Sequence, residues 1–249
     1  MAGHSKWKNI QYRKGRQDAL KAQRFTKISK EIYAAVRRGG ANPETNFALR
    51  AAIQKAKEIN MPLENIERTI KKATGELGGV TYEDVVYEGY GPGGVAILVE
   101  ALTDNRNRTA ARIRHLFGKY GGNLGESGCV AYLFALKGEI VVDHEDGVDE
   151  EALFSAVLEA GAEDVDTGES ESLVTTPPDA VEAVRTALEK RGFRVRSARM
   201  TRVPTVSVTV AGETAEANLA LLGALEEEDD VSEVYANLEI DETDAPTAS

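Results

Sequence analysis

Cys129 is the only cysteine in 249 residues. Intramolecular disulfides are therefore impossible, and a cysteine-based metal site has no ligand set to draw on. Histidine is nearly as scarce, with His4, His115 and His144 far apart in sequence, which leaves little material for a catalytic or metal constellation. No stretch approaches the roughly 18 to 20 consecutive apolar residues that a membrane helix needs, and no apolar run follows the basic start as a secretory signal would require. The amino terminus shares its basic, acid-poor character with organelle presequences, but Gly3, Gly15 and the polar intervals spoil a clean apolar face. These absences set five expectations: a cytoplasmic protein, no enzymatic activity, no cofactor, no small-molecule substrate and no membrane partner.

Charge is abundant and unevenly placed. The chain carries 41 acids against 30 bases, yet residues 1–78 hold 17 Lys or Arg against 7 acids, and residues 79–249 hold 13 against 34. Clustered Lys and Arg attract a counterion-coated phosphate backbone, so the basic front points to nucleic acid, either DNA or rRNA within the ribosome. A competing reading has the front docking on the acidic body, for instance on EEEDD at 226–230, as an intramolecular clamp. Exposed ion pairs are worth little singly and ordering an arm costs entropy, which favours the first reading. The two can coexist as autoinhibition.

Residues 1–20 lack apolar periodicity and read as a basic flexible arm. In it Trp7 and Tyr12 sit among Lys6, Lys8, Arg13, Lys14 and Arg16, so rings could stack on bases or sugars while cations hold phosphates. Packing of Trp7 on the following helices is an equally simple role for it. Residues 21–78 read as a three-helix bundle. Phe25, Ile28, Ile32 and Val36 form a stripe about 80° wide, with Lys27, Lys30, Arg37 and Arg38 expected on the opposite, outer side, alongside Lys21 and Arg24. Gly39–Gly40 end that helix. Asn42 and Pro43 are placed to start a second, with Leu49, Ile53, Ala56 and Ile59 inward. Pro62 opens a third, with Leu63, Ile66, Ile70 and Ala73 inward. The tight joint between the last two resembles a helix-turn-helix only weakly, since any such bundle offers it.

GYGPGG at 89–94 satisfies G-x-G-x-x-G, but the β-rich run VAILVEAL follows where a dinucleotide site needs a helix, so the segment reads as a hairpin loop. DNRNRTAARIRHLFGKYGGN then gives a helix with Ala110, Ile113, Phe117 and Tyr120 inward and a stripe of Arg108, Arg112, His115 and Lys119 beside them. Its entrance, 104–109, is a natural anion site, and phosphate contact competes evenly with a plain solvated face. CVAYLFAL reads as a strand, in which Cys129 is a small buried hydrophobe. DHEDGVDEE misses the EF-hand spacing and reads as a solvated loop. The order across 134–203 is β-α-β-β-α-β, a ferredoxin-like pattern. TVSVTV, a helix and EVYANLEI then complete a unit with 79–133. The expected architecture is α+β: arm 1–20, bundle 21–78, a discontinuous domain of 79–133 plus 204–240, an inserted domain 134–203, and a frayed tail 241–249.

AGHSKW at 2–7, GYGPGGVA at 89–96, DNRNRT at 104–109 and EVYANLEI near the end together resemble the YebC/PmpR family from residue 2 to about 240. The resemblance implies three domains, a helical amino-terminal one and two α/β ones. It also implies control of gene expression. Bacterial members are described as probable DNA-binding transcriptional regulators, while mitochondrial relatives resemble translational activators and some bacterial members are linked to stalled ribosomes. It supplies no catalytic residues. Through its motifs it nominates His4, Ser5, Lys6 and Trp7 in the first, and Arg106 and Arg108 in the third, as nucleic-acid contacts.

Overall fold

The structure is a computed structural model, and it describes residues 21–76, 82–144, 149–168 and 170–241. Three helices come first: α1 (Lys21–Gly39), α2 (Phe47–Glu58) and α3 (Leu63–Ala73). Ile28, Ile32, Val36, Leu49, Ala56 and Ile66 are buried together between them. Leu63, expected inward, is 63% exposed: it is the first residue of α3, ahead of the turn that packs.

The second helix starts four residues later than its sequence suggests. Asn42 makes a turn instead, its carboxamide oxygen accepting from Glu44 N at 2.9 Å. The cap is Asn46, whose Oδ1 accepts from Leu49 N at 3.1 Å while its Nδ2 donates to Ala35 O at 2.8 Å and Gly40 O at 2.7 Å. One buried carboxamide thus satisfies an orphan donor of α2 and open carbonyls at the end of α1. Asn42 has no α1 carbonyl to bond, and that difference decides the boundary.

The chain then forms β1 (Glu83–Tyr90), β2 (Ala96–Thr103), α4 (Arg106–Lys119) and the short β3 (Asn123–Leu124). After residues 134–203 it returns as β8 (Val208–Val210), α7 (Gly212–Glu227), β9 (Val231–Ala236) and β10 (Leu238–Ile240). A four-stranded sheet has the order β3-β1-β2-β9, with β1 antiparallel to β2 from Glu83 opposite Thr103 to Tyr90 opposite Ala96. Helices α4 and α7 cover one face through Ile113, Phe117, Leu221 and Leu225 against Ile97, Val99 and Val234. GYGPGG closes the hairpin between β1 and β2: Gly89 and Tyr90 end β1, residues 91–94 make the loop, and a strand follows, as the sequence context requires. Its Gly91 is needed for space: a Cβ there would lie 2.2 Å from Asn218 Oδ1.

EVYANLEI, expected as one strand, is two. At Asn237 the main chain leaves β2 for β8: Asn237 Oδ1 accepts from Ala96 N at 2.7 Å and its carbonyl accepts from Val208 N at 2.7 Å. β8 and β10 consequently form a separate parallel pair.

Residues 134–203 form a compact unit of their own. In it β4 (Phe134–Asp143), α5 (Glu150–Glu159), β5 (Asp164–Thr167), β6 (Glu171–Thr176), α6 (Val181–Lys190) and β7 (Val195–Pro204) give the sheet order β5-β6-β4-β7. That is the ferredoxin-like arrangement, so the α+β class and the inserted βαββαβ unit read from the sequence both hold. CVAYLFAL does not run as one strand, however. Residues 131–133 form a single 3-10 turn and β4 begins at Phe134. The buried Glu88 carboxylate accepts from Gly128 N at 2.6 Å, Val130 N at 2.8 Å and Ala131 N at 2.7 Å, so those donors are unavailable to a ladder.

Asn46→Ala removes all three carboxamide bonds, one of them to the buried Ala35 carbonyl, and it is expected to cost about 1–3 kcal/mol. Urea unfolding followed by far-UV circular dichroism measures it; Asn42→Ala serves as the comparison and is expected to shift stability by less than about 0.5 kcal/mol.

Candidate nucleic-acid interface

The cations nominated from sequence occupy three regions. His4, Ser5, Lys6, Trp7, Lys8, Tyr12, Arg13, Lys14 and Arg16 lie outside the described residues, as does the side chain of Lys21. The α1 cations from Arg24 on and the α4 cations are described, and four of them, Lys27, Lys30, Arg108 and Arg112, meet at one place, the turn 226–230 that joins α7 to β9.

Asp230 is the centre of that place. Its Oδ1 pairs with Lys30 Nζ at 2.6 Å, and its Oδ2 accepts from Thr109 Oγ1 at 2.6 Å, Arg108 Nη2 at 3.0 Å and Thr103 Oγ1 at 3.3 Å. Lys30 also donates to Asp229 O at 2.8 Å and lies 5.6 Å over the ring of Tyr82, which meets Tyr33 edge-on at 5.1 Å. Burial alone would raise the Asp230 pKa, but the hydrogen bonds from Lys30, Thr109 and Arg108 outweigh it and hold it at about 2, against an ordinary 3.8. Lys27 donates to Glu226 O. Burial keeps its ammonium below the ordinary value, although Glu226, Glu233 and Asp229 pull the other way.

These contacts correct the expected outer face of α1. Lys30 is 9% exposed and Lys27 half-buried; both point at the acidic turn. Helical periodicity marks which side of α1 is apolar, but it cannot reveal that a second face meets acids some 200 residues away. Arg37 and Arg38, at the end of α1, are exposed, and Arg38 pairs with Asp84 where both side chains are largely in water. Arg24 is half-buried.

The entrance of α4 is corrected in the same way. Asn105 caps the helix through Arg108 N at 3.1 Å, and the anion beside that entrance is the protein's own Asp230. Arg108 bridges Asp104 at 2.7 Å and Asp230 at 3.0 Å, and Arg112 pairs with Glu228 at 3.1 Å. Arg106 is 3.9 Å from Glu83 with both side chains exposed, a weak pair in water. Farther along the stripe His115 and Lys119 are exposed, and Lys119 lies 5.1 Å over the Tyr120 ring.

Sequence reading missed the exposed cations of α2 and α3. Arg50 sits 5.7 Å from the Phe47 ring, and Lys57, Lys71 and Lys72 are exposed near the carboxyl ends of their helices. Their spacing was available: Arg50 and Lys57 are seven apart, one face of a helix. Among the described residues no group of three or more His, Cys, Asp or Glu could hold a metal ion, and no helix is long and apolar enough to cross a membrane.

A three-helix bundle ion-paired to an α/β body that carries a ferredoxin-like insertion defines the class of chain. The family comparison specifies it further. Residues 5–76 match the TACO1/YebC protein N-terminal domain and residues 82–238 the TACO1/YebC second and third domain. The chain belongs to the TACO1/YebC family. It is 53% identical over 240 residues to a probable transcriptional regulatory protein of Dictyoglomus turgidum, covering 96% of each chain. It is 55% identical over 242 residues to one of Persephonella marina, again covering 96% of each. A crystal structure of a conserved hypothetical protein from Aquifex aeolicus is similar at a TM-score of 0.83 and 51% identity, covering 90% of this chain and 93% of that one.

Asp230 has its folded pKa below its unfolded one, so its stabilisation is full above about pH 4 and is lost as pH falls towards about 2. The contribution is about 1–2 kcal/mol after allowance for solvent screening. Asp230→Asn is expected to flatten the stability profile between pH 4 and pH 2 relative to the unaltered chain. Lys30→Met is expected to cost about 2–4 kcal/mol at pH 7, and the double variant less than the sum of the two, as measured by denaturant titration.

Proposed function

We propose that this protein is a non-enzymatic, nucleic-acid-binding regulator of gene expression, acting on DNA in transcription. The observation that carries the reading is the charge division, 17 bases against 7 acids in residues 1–78 of a chain with net charge −11. The ion pairs around Asp230 engage only part of that excess. Arg37, Lys57, Lys71 and Lys72 face solvent on the bundle, and the cations of residues 4–16 add to them in sequence. The names of the relatives, probable transcriptional regulatory proteins, agree with a regulatory role. Positioning by phosphates and shape then outweighs base reading, because few exposed groups here are suited to base edges.

A second reading keeps the same cations and changes the polyanion: a ribosome-associated translation factor contacting rRNA. It is favoured by the acids on α3, where Glu64 and Glu67 are exposed on the helix that a helix-turn-helix would lay in a major groove. Ribosome co-sedimentation set against binding to a promoter-length duplex at matched salt separates the two. Ribosome binding without specific duplex binding selects the translational reading.

Affinity for either polyanion is expected to fall steeply with salt. Deleting residues 1–20 lowers the log–log slope by several units, and Lys71→Ala with Lys72→Ala by about 1–2. Fluorescence anisotropy across a salt series reads both slopes; a salt-insensitive complex contradicts the proposal.

A further inference from the structure

The two helices of the inserted unit finish their outer faces in opposite ways. On α6 the outer surface is charged and internally paired: Arg185 bridges Glu182 and Glu189, at three- and four-residue spacing along the helix. On α5 it is apolar. Leu153, Ala156 and Val157 form the buried side of that helix, while Phe154 and Leu158, one turn apart, are 53% and 56% exposed. At about 100° per residue, Glu151, Phe154 and Leu158 fall within about 60° of arc, on the side away from the buried three. Among the described helices α5 alone carries two large apolar side chains in water. Neither contributes to the core from there, and phenylalanine is a poorer helix former than the charged residues that α6 uses on its surface.

The charges along this ridge select its occupant. Asp149 caps α5 through Ala152 N at 3.1 Å, and Glu150 and Glu151, both exposed, fill the first turn, where the helix dipole favours an acid but supplies no counter-cation. Among the described residues no ion pair engages Glu150 or Glu151, whereas Glu159 at the far end of the helix is paired with Arg191. Residues 134–203 as a whole hold 16 acids against 8 bases. A second copy would bring the same acids to the ridge, and a phosphate backbone would bring still more negative charge. A ridge two turns long with side chains spaced i, i+3 and i+7 fits along another helix. The open carboxylates then call for Lys or Arg beside that helix's apolar stripe.

We propose that the outer face of α5, with Phe154 and Leu158 as anchors and Glu150 and Glu151 beside them, docks a basic amphipathic helix of another protein. The site lies on the inserted unit and uses none of the cations of the bundle, so its failure leaves the nucleic-acid reading untouched.

The probe is a synthetic helical peptide of about 18 residues with leucines along one face and lysines on the rest. Two counterparts replace every lysine with glutamate or every leucine with serine. Titrated into the isotope-labelled full chain and followed by backbone amide NMR, the Leu/Lys peptide is expected to move the amides of residues 150–160. Phe154→Gln with Leu158→Gln is expected to weaken it about 10- to 100-fold. Glu150→Gln with Glu151→Gln weakens it about 2- to 10-fold at low salt, a difference that high salt removes. Leu63→Gln, which takes a comparably exposed leucine from α3, leaves binding within about twofold. All these positions are exposed, and the variants are expected to keep wild-type circular dichroism and melting. Binding that ignores the Phe154 and Leu158 substitutions, equal binding of the Leu/Glu or the Ser/Lys peptide, or no binding of the Leu/Lys peptide each overturns the proposal. A dimer in sedimentation equilibrium that the same substitutions abolish makes a second copy the occupant, and oligouridylate binding that they abolish makes it a nucleic acid; either result also overturns it.

Discussion

A single carboxylate organises the larger unit of this protein. Asp230 accepts from α1 through Lys30, from α4 through Thr109 and Arg108, and from the end of β2 through Thr103. Its own carbonyl accepts from Leu102 N at 2.8 Å, which fixes it to the sheet. The helical bundle therefore meets the sheet domain through a charge that cannot be neutralised or left unpaired cheaply, since burying one partner of a broken pair costs about 3–5 kcal/mol. The ring of Tyr82 under Lys30 and against Tyr33 closes the same seam on its apolar side.

The sequence motifs behind the family resemblance have structural work of this kind. DNRNRT supplies the Asn105 cap and the Arg108 and Thr109 donors to Asp230. GYGPGG is seated on Asn218, whose Nδ2 donates to Pro92 O at 2.8 Å. EVYANLEI turns at Asn237, whose side chain accepts from Ala96 N, whose N–H donates to Ala96 O and whose carbonyl accepts from Val208 N. Asn218 and Asn237 are buried polar groups meeting backbone donors or acceptors that regular pairing leaves open, and such groups tolerate few replacements.

What the sequence discloses follows from how far apart the interacting residues lie. The helices of the bundle, the β1–β2 hairpin and the βαββαβ order rest on local periodicity and turn residues, and they were legible. The strand extent of CVAYLFAL was not, because its donors are taken by Glu88, some forty residues earlier. Asn46 over Asn42 as cap depended on carbonyls of α1 that come into reach only once the helices pack. Lys30 is the strongest case: its position on α1 is polar by composition, and only its partner at 230 makes it interior. The EEEDD run was visible as a possible dock; which cations it would take was not.

Magnitudes also decide what a polyanion can reach. A phosphate entering at the start of α4 would have to displace Asp230 from Lys30, Thr109 and Arg108. A helix terminus returns about 0.3–1 kcal/mol to an anion at an exposed site, and an exposed pair with Arg108 no more than about 1 kcal/mol. Breaking the Lys30–Asp230 pair costs several times that. The acidic turn therefore keeps its cations, and on the proposed reading phosphate contacts would fall to charges outside the seam, such as those at the ends of α2 and α3 and Arg37. The ion pairs at 226–230 in this way divide the basic residues into those that hold the protein together and those left over for a partner.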